Sequence, residues 1–225
     1  MKNRIVFITL LTALALSGCA TTKPSNDYGR PGELVDAALV TFNNFSADPN
    51  MTWFRNNIDR ARAVIIFPRV VRAGFVFGGS GGSGTMLLRD QSTGEWTYPA
   101  FFSMGKGSFG FQAGVDVAEV VLMVMTQRGV DRFLSPSFQL GADASIAAGP
   151  VGTGVSAAVA DILAFSRARG VFGGLSVEGG VINPRNEWNS AYYGRNVRTV
   201  DILIKRNVSN PQADGLRAAV TRAAQ

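Results

Sequence analysis

Between Val64 and Ile182 the chain is built from short runs of β-branched and aromatic residues punctuated by Gly, Asp and Ser, a pattern few folds accommodate. Runs of that length and composition make strands, and the glycines between them mark turns, bulges and close backbone approaches. They are Val64 to Phe67, Ala73 to Gly84, Gly94 to Phe102, Ser108 to Asp116, Glu119 to Thr126, Phe138 to Ala148 and Leu163 to Ile182. Helical patterns lie around them. From Pro31 to Phe45 the apolar residues Leu34, Val35, Ala38, Leu39, Phe42 and Phe45 recur at three- and four-residue steps, with Pro31 opening the helix and Glu33 in its first turn. Asp48-Pro49 starts a second helix to about Ala61, which should pack with the first as a hairpin. Arg128 to Leu134 forms a short helix, and Asn210-Pro211 opens a terminal one to Ala224. The expected class is α+β: an antiparallel β-rich sheet or partly closed barrel flanked by an N-terminal helical pair and a C-terminal helix, over residues 31–225.

The first 18 residues have another character. Met1-Lys2-Asn3-Arg4 is positively charged, and Ile5 to Leu16 is apolar apart from Thr9 and Thr12, which is the layout of a secretory signal peptide. A helix of that apolar length reaches about 18 Å, short of the roughly 30 Å a spanning helix must cross. Leu16-Ser17-Gly18-Cys19 resembles the lipobox of bacterial lipoproteins, whose cysteine takes a diacylglyceryl group and becomes the new amino terminus. Residues 1–18 are thus expected to leave, Cys19 to carry palmitate-like acyl chains, and the polar residues 19–30 to tether the domain. Each buried methylene contributes about 0.8 kcal/mol, so such chains alone hold a protein on a bilayer. Ala20, where an Asp would signal inner-membrane retention in enteric bacteria, implies the outer membrane, periplasmic side.

Composition removes much chemistry. There is no histidine, and Cys19 is the only cysteine. Once it is acylated, disulfides, Cys/His metal sites and histidine-based catalysis are excluded, and no cofactor is expected. Gly78-Gly79-Ser80-Gly81-Gly82 fits a nucleophile pattern literally, but no histidine exists to activate the serine. Gly79 to Gly84 and Gly105 to Gly110 fit a dinucleotide-loop spacing, yet strand-like sequence follows each where a helix should. Asp116, Glu119, Asp131, Asp143 and Asp161 lack the spacing of a known cation loop. The chain is expected not to be an enzyme.

Charge is more informative. Lys and Arg number 22 against 16 Asp and Glu, and loss of Lys2 and Arg4 leaves a surplus too mild to argue for nucleic acid. That surplus falls in one stretch, where Arg55, Arg60, Arg62, Arg69 and Arg72 face Asp59 alone. Phe67-Pro68-Arg69 with Arg72 and Val76-Phe77-Gly78-Gly79 has a weak echo in Phe165-Ser166-Arg167 with Arg169 and Val171-Phe172-Gly173-Gly174. Arg69 and Arg72 would share a face in a helical turn; Arg167 and Arg169 would do so in a strand. Lys106 sits between Gly105 and Gly107, whose backbone amides leave room for an anion.

Ala63 to Phe75, the glycine-rich stretch, Pro99-Ala100-Phe101-Phe102, Gly107 to Gly114 and Gly141-Ala142-Asp143-Ala144 together resemble the SYLF domain, also called the Ysc84 actin-binding domain, from about Pro31 onward. The resemblance implies binding to phosphoinositide-containing membranes through basic residues and an amphipathic helix, with actin binding in a yeast member. Export without an SH3 or FYVE module makes actin an unexpected native partner here. The expected function is non-enzymatic binding of anionic phospholipid by an envelope lipoprotein, through Arg62, Arg69, Arg72 and Lys106, with Arg167 and Arg169 as further candidates. An envelope interaction protein that binds peptidoglycan or a protein partner is the alternative.

Overall fold

The computed structural model describes residues 30–74, 77–109, 114–151, 160–168 and 177–225. Eight strands form one sheet in the order β5-β8-β3-β2-β1-β4-β7-β6. They are β1 (Ala63–Gly74), β2 (Phe77–Leu88), β3 (Ala100–Phe109), β4 (Gly114–Val124), β5 (Phe138–Gln139), β6 (Ile146–Ala148), β7 (Ile162–Ala168) and β8 (Val181–Pro184). Every pairing is antiparallel except β6 with β7, and the sheet curls into a half-barrel flanked by helices, as the α+β reading expects. The helices are α1 (Pro31–Ala47), α2 (Thr52–Asn57), α3 (Gln127–Phe133), α4 (Asn186–Tyr193), α5 (Thr199–Leu203) and α6 (Asp214–Ala223).

Both faces of the central strands are buried, and the alternation of β1 shows how. Ala63, Ile65 and Phe67 join one core with Val130 and Phe133 of α3 and Ile202 and Leu203 of α5. Val64 and Ile66 join the other, with Leu34, Phe42 and Phe45 of α1, Phe54 of α2 and Leu216 and Val220 of α6. Residues two apart on a strand share a face, so a strand buried on both sides must be apolar throughout. Val64-Ile65-Ile66-Phe67 meets that demand. The periodic apolar stripe of α1 is what covers the second face, and Phe54 packs against Phe42 and Phe45 with ring centroids 5.9 and 6.2 Å apart. Burying each such side chain contributes about 1.5–3 kcal/mol, as an upper estimate.

Several elements depart from the sequence-based expectation. The helix from Asp48 to Ala61 is broken into 3₁₀ turns at Pro49–Met51 and Ile58–Arg60 around the short α2. Ser108 to Asp116 is not one strand, because β3 ends at Phe109 and β4 runs continuously from Gly114 to Val124. Leu163 to Ile182 divides into β7 and β8. The helical turn that would bring Arg69 and Arg72 onto one face is absent: both lie in β1, which carries one extra residue there. Phe67 and Val70 oppose Val120 and Ala118, so three steps on β1 match two on β4. The register against β2 slips between Ile66 and Val71 in the same way. Pro68 explains the location, since a residue without an N–H fits a bulge and not the interior of a ladder. Gly82 and Gly84 accept the bulge from the neighbouring strand. A Cβ on Gly82 would stand 2.2 Å from the Arg69 carbonyl oxygen, and one on Gly84 would stand 2.6 Å from the Phe67 ring.

Candidate functional site

The register of the sheet brings two of the basic candidates together. Arg72 of β1 lies directly opposite Ser80 of β2, which lies directly opposite Lys106 of β3. Directly opposed residues in an antiparallel ladder share a face, and strands stand about 4.8 Å apart. Arg72 and Lys106 therefore rise from the same face about 10 Å apart with a serine between them. Asp116 of β4 opposes Arg72 from the other side. Arg69 emerges at the bulge, exposed, and neither it nor Arg72 has a side-chain hydrogen bond or ion pair among the described residues. Lys106 has its stem beside Gly179, in the turn before β8, where an added Cβ would stand 3.9 Å from Cε.

The glycines shape the other face of this end. Gly81 and Gly105 oppose one another, as do Gly79 and Gly107. An added Cβ on Gly105 or Gly107 would meet nothing within 4 Å, so bare backbone lies open there. Val115 of β4, 75% exposed, stands at the same end of the sheet.

Other candidates are not brought to this site. Arg62 precedes β1 and sits at its opposite end, roughly 30 Å from Arg72 at about 3.3 Å per residue, with its guanidinium 3.3 Å from Gln127 Oε1. The basic stretch is thus divided between the two ends of one strand. Arg55 donates to the backbone carbonyls of Asp48 and Ser46, and Arg60 donates to Asn57 at 3.0 Å. Arg167 of β7 is committed internally: it pairs with Glu119 at 3.0 Å and lies 4.0 Å from Asp48, while Thr41 of α1 donates to Glu119 at 3.0 Å. Cys19 and Arg169 lie outside the described residues.

Asp161, Asp143 and Asp131 are engaged in local structure. Asp161, buried at the start of β7, takes both donors of Arg128, the hydroxyls of Thr126 and Ser145 and the backbone N–H of Ser145. The Arg128 hydrogen bond, helped by Thr126 and Ser145, holds its carboxyl well below the usual range against the opposing effect of burial. Asp143 accepts from the Gln139 N–H at 2.7 Å and Asp131 from Gln127 at 2.9 Å. Among the described residues no three carboxylate, cysteine or histidine side chains converge as a metal would need, and no helix is long and apolar enough to cross a membrane. Ser80, the would-be nucleophile, stands in mid-ladder.

Sequence reasoning missed α4 and α5 and a polar cleft beside α6. Asn189 of α4 is fully buried, and its side-chain oxygen accepts the Phe101 N–H at 2.9 Å. Asp201, three residues after Arg198, accepts that residue's backbone N–H at 2.9 Å and was the available helix-start signal for α5. Nothing local signals the cleft, since it joins residues about 120 apart in sequence, such as Trp96 and Arg217.

Fold and site together define an α+β domain: a curled sheet wrapped by helices, with a cationic row at one end. Residues 105–223 match the Ysc84 family, described as "Las17-binding protein actin regulator". The chain belongs to that family. It is 34% identical over 167 residues to LAS seventeen-binding protein 3 of Saccharomyces cerevisiae, a match covering 71% of this chain and 36% of the yeast protein. Protein YSC84 of the same yeast is also 34% identical, with 71% of this chain and 35% of that protein covered. The human SH3 domain-containing YSC84-like protein 1 is 30% identical over 165 residues, covering 71% and 48%. The match thus spans between about a third and a half of these relatives. No solved structure is significantly similar.

Proposed function

We propose that this chain is an envelope lipoprotein whose domain binds anionic lipid without catalysing a reaction. Residues 1–18 serve as the signal, acyl chains on Cys19 hold the domain at the periplasmic side of the outer membrane, and the cationic end of the sheet contacts head groups. The observation that carries the reading is the row Arg72–Ser80–Lys106, with Arg69 exposed beside it at the bulge. Near an anionic leaflet each such cation contributes about 1 kcal/mol, enough for this group to orient a domain that is already tethered. Arg62 and Arg167 have no part in it, being distant and ion-paired respectively. Flotation of residues 30–225 with vesicles of neutral lipid, and of neutral lipid with added anionic lipid, tests the reading. Recovery with anionic vesicles alone supports it; equal recovery with both removes the electrostatic contact.

A second reading is a protein partner. One yeast relative is named for binding LAS seventeen, and the family description names a Las17-binding actin regulator. Export would separate this domain from cytosolic actin, so the partner would be another envelope component, peptidoglycan or protein. Val115 and the bare Gly107 backbone end one cross-strand row, Val115–Ala73–Gly79–Gly107, which offers a weakly polar contact for it. Retention on purified sacculi or on an envelope protein, unchanged in Arg69→Gln/Arg72→Gln, favours this reading over the first.

A further inference from the structure

The hairpin between β2 and β3 and the outer face of α6 enclose a cleft of about 800 Å³, walled in part by Arg89, Trp96, Tyr98, Arg217 and Arg222. A smaller cavity of about 170 Å³ shares Trp96, Tyr98 and Arg217 with it and adds Ile202 and Val208. Both compartments mix polar and apolar walls: three arginines line the larger with Glu95 and Asp214, and in the smaller Ile202, Val208 and Trp96 stand with Glu95, Thr97, Arg206 and Arg217.

The shared wall is rigidly built. Arg217 donates from Nε to the Trp96 carbonyl at 3.0 Å, and its guanidinium lies over the Tyr98 ring at 4.1 Å. Tyr98 donates to Asp214 at 2.9 Å, and Asp214 stands 3.7 Å from Arg217. Stacking and hydrogen bonding fix the plane of the guanidinium before any ligand arrives, which reduces the ordering cost of binding. Trp96 is 2% exposed, and its indole N–H has no acceptor among the described residues. Arg206 lines the smaller cavity, paired with Asp90, and is the single non-glycine residue with positive φ (51°) among those described. Backbone held in that region is costly and collects at binding sites. Arg89, Arg217 and Arg222 line the larger compartment together with Glu95 and Asp214.

The geometry points to a site for one small anionic amphiphile: a carboxylate or phosphate monoester on a short apolar stem. The head lies in the larger compartment against Arg217 and Arg222, and the stem lies against Ile202, Val208 and the Trp96 ring. A space of 170 Å³ is about that of six waters, so the stem is a few carbons long and not a membrane acyl chain. This site shares no residue with the Arg69, Arg72 and Lys106 surface and does not depend on it.

The test is a fluorescence titration of the full-length chain in phosphatidylcholine vesicles, with Trp53→Phe and Trp188→Phe leaving Trp96 as the reporter. Hexyl phosphate and hexanoate are expected to shift Trp96 emission saturably, one of them more tightly, which identifies the head group. Hexanol and inorganic phosphate should each bind about tenfold more weakly or less, since each lacks half of the ligand. Arg222→Gln, an exposed change that leaves the wall intact, should weaken binding severalfold, and Arg217→Met more. Inorganic phosphate or hexanol binding as tightly as hexyl phosphate overturns the proposal. So does unchanged affinity in Arg222→Gln and Arg217→Met, or loss of binding in Arg72→Gln, which would move the ligand to the sheet row. Loss of lipid flotation in Arg72→Gln with this titration unchanged leaves the two proposals independent.

Discussion

Two arginines flank β4, and each lies directly opposite an acidic residue of that strand: Arg72 opposite Asp116 and Arg167 opposite Glu119. In the ladder they are equivalent; in the molecule they are not. Arg167 and Glu119 close to 3.0 Å, with Thr41 of α1 donating to Glu119 and Asp48 near Arg167. Arg72 and Asp116 make no ion pair among the described residues, and Asp116 is exposed. What separates them is the layer above. α1 covers the face that carries Glu119 and removes water from the pair, whereas nothing described covers Arg72, where water competes for both charges. Register puts opposite charges in reach, and desolvation decides whether they commit to one another.

The contrast is sharpest against an acid buried more deeply than either. Asp161→Ala should cost about 3 kcal/mol in denaturant unfolding, because it strands Thr126, Ser145 and Arg128. Its depressed folded pKa sets the sign of the pH dependence: the contribution is complete above the unfolded value of about 3.9 and is lost as pH falls through the lower folded value. The stability gap between wild type and Asp161→Asn should therefore narrow on acidification below about pH 4. Glu119→Ala should cost about 1–2 kcal/mol, discounted for partial exposure, while Asp116→Ala stays within about 0.5 kcal/mol. Equal costs at the two positions would break the comparison.

Binding should reverse that order. Arg69→Gln/Arg72→Gln is expected to reduce partition onto anionic vesicles about thirtyfold, and Arg167→Gln hardly at all. The glycines give a smaller test of how tightly the bulge beneath Arg69 is held. Gly82→Ala should cost about 1–3 kcal/mol by forcing β1 outward, whereas Gly105→Ala, with open space around its Cβ, should be neutral or stabilise by up to about 1 kcal/mol. Thermal unfolding of both variants checks this. The smallest effect is expected for Asp116→Asn, which removes the counter-charge opposite Arg72 and should raise anionic-vesicle partition by less than about fivefold.

The sequence was most legible where one residue type can satisfy only one demand. The α1 stripe and the continuous apolar run at the start of β1 follow from periodicity or backbone limits, and the structure has them, while Asn210-Pro211 opens a 3₁₀ turn that leads into α6 at Asp214. The pairing of Arg72 with Lys106 was half legible: charge density singled out the first and glycine neighbours the second, but their alignment depends on pairing between strands. Arg62 and Arg167 looked equivalent to them because local pattern carries no information about strand ends or about which face a helix covers. Asn189 and Trp96 were invisible, since each acts through partners 88 and 121 residues away.

The extra residue between Phe67 and Val70 has a consequence for handedness of display. Side chains on a strand alternate, so one added residue reverses the parity of everything after it. With an uninterrupted β1, Arg72 would project on the side where α1 packs and Val71 would take its place outside. Pairing the same residues without that bulge would thus turn the cation inward with composition and charge pattern untouched, whereas deleting Arg69 would restore regular alternation and keep Arg72 opposite Asp116.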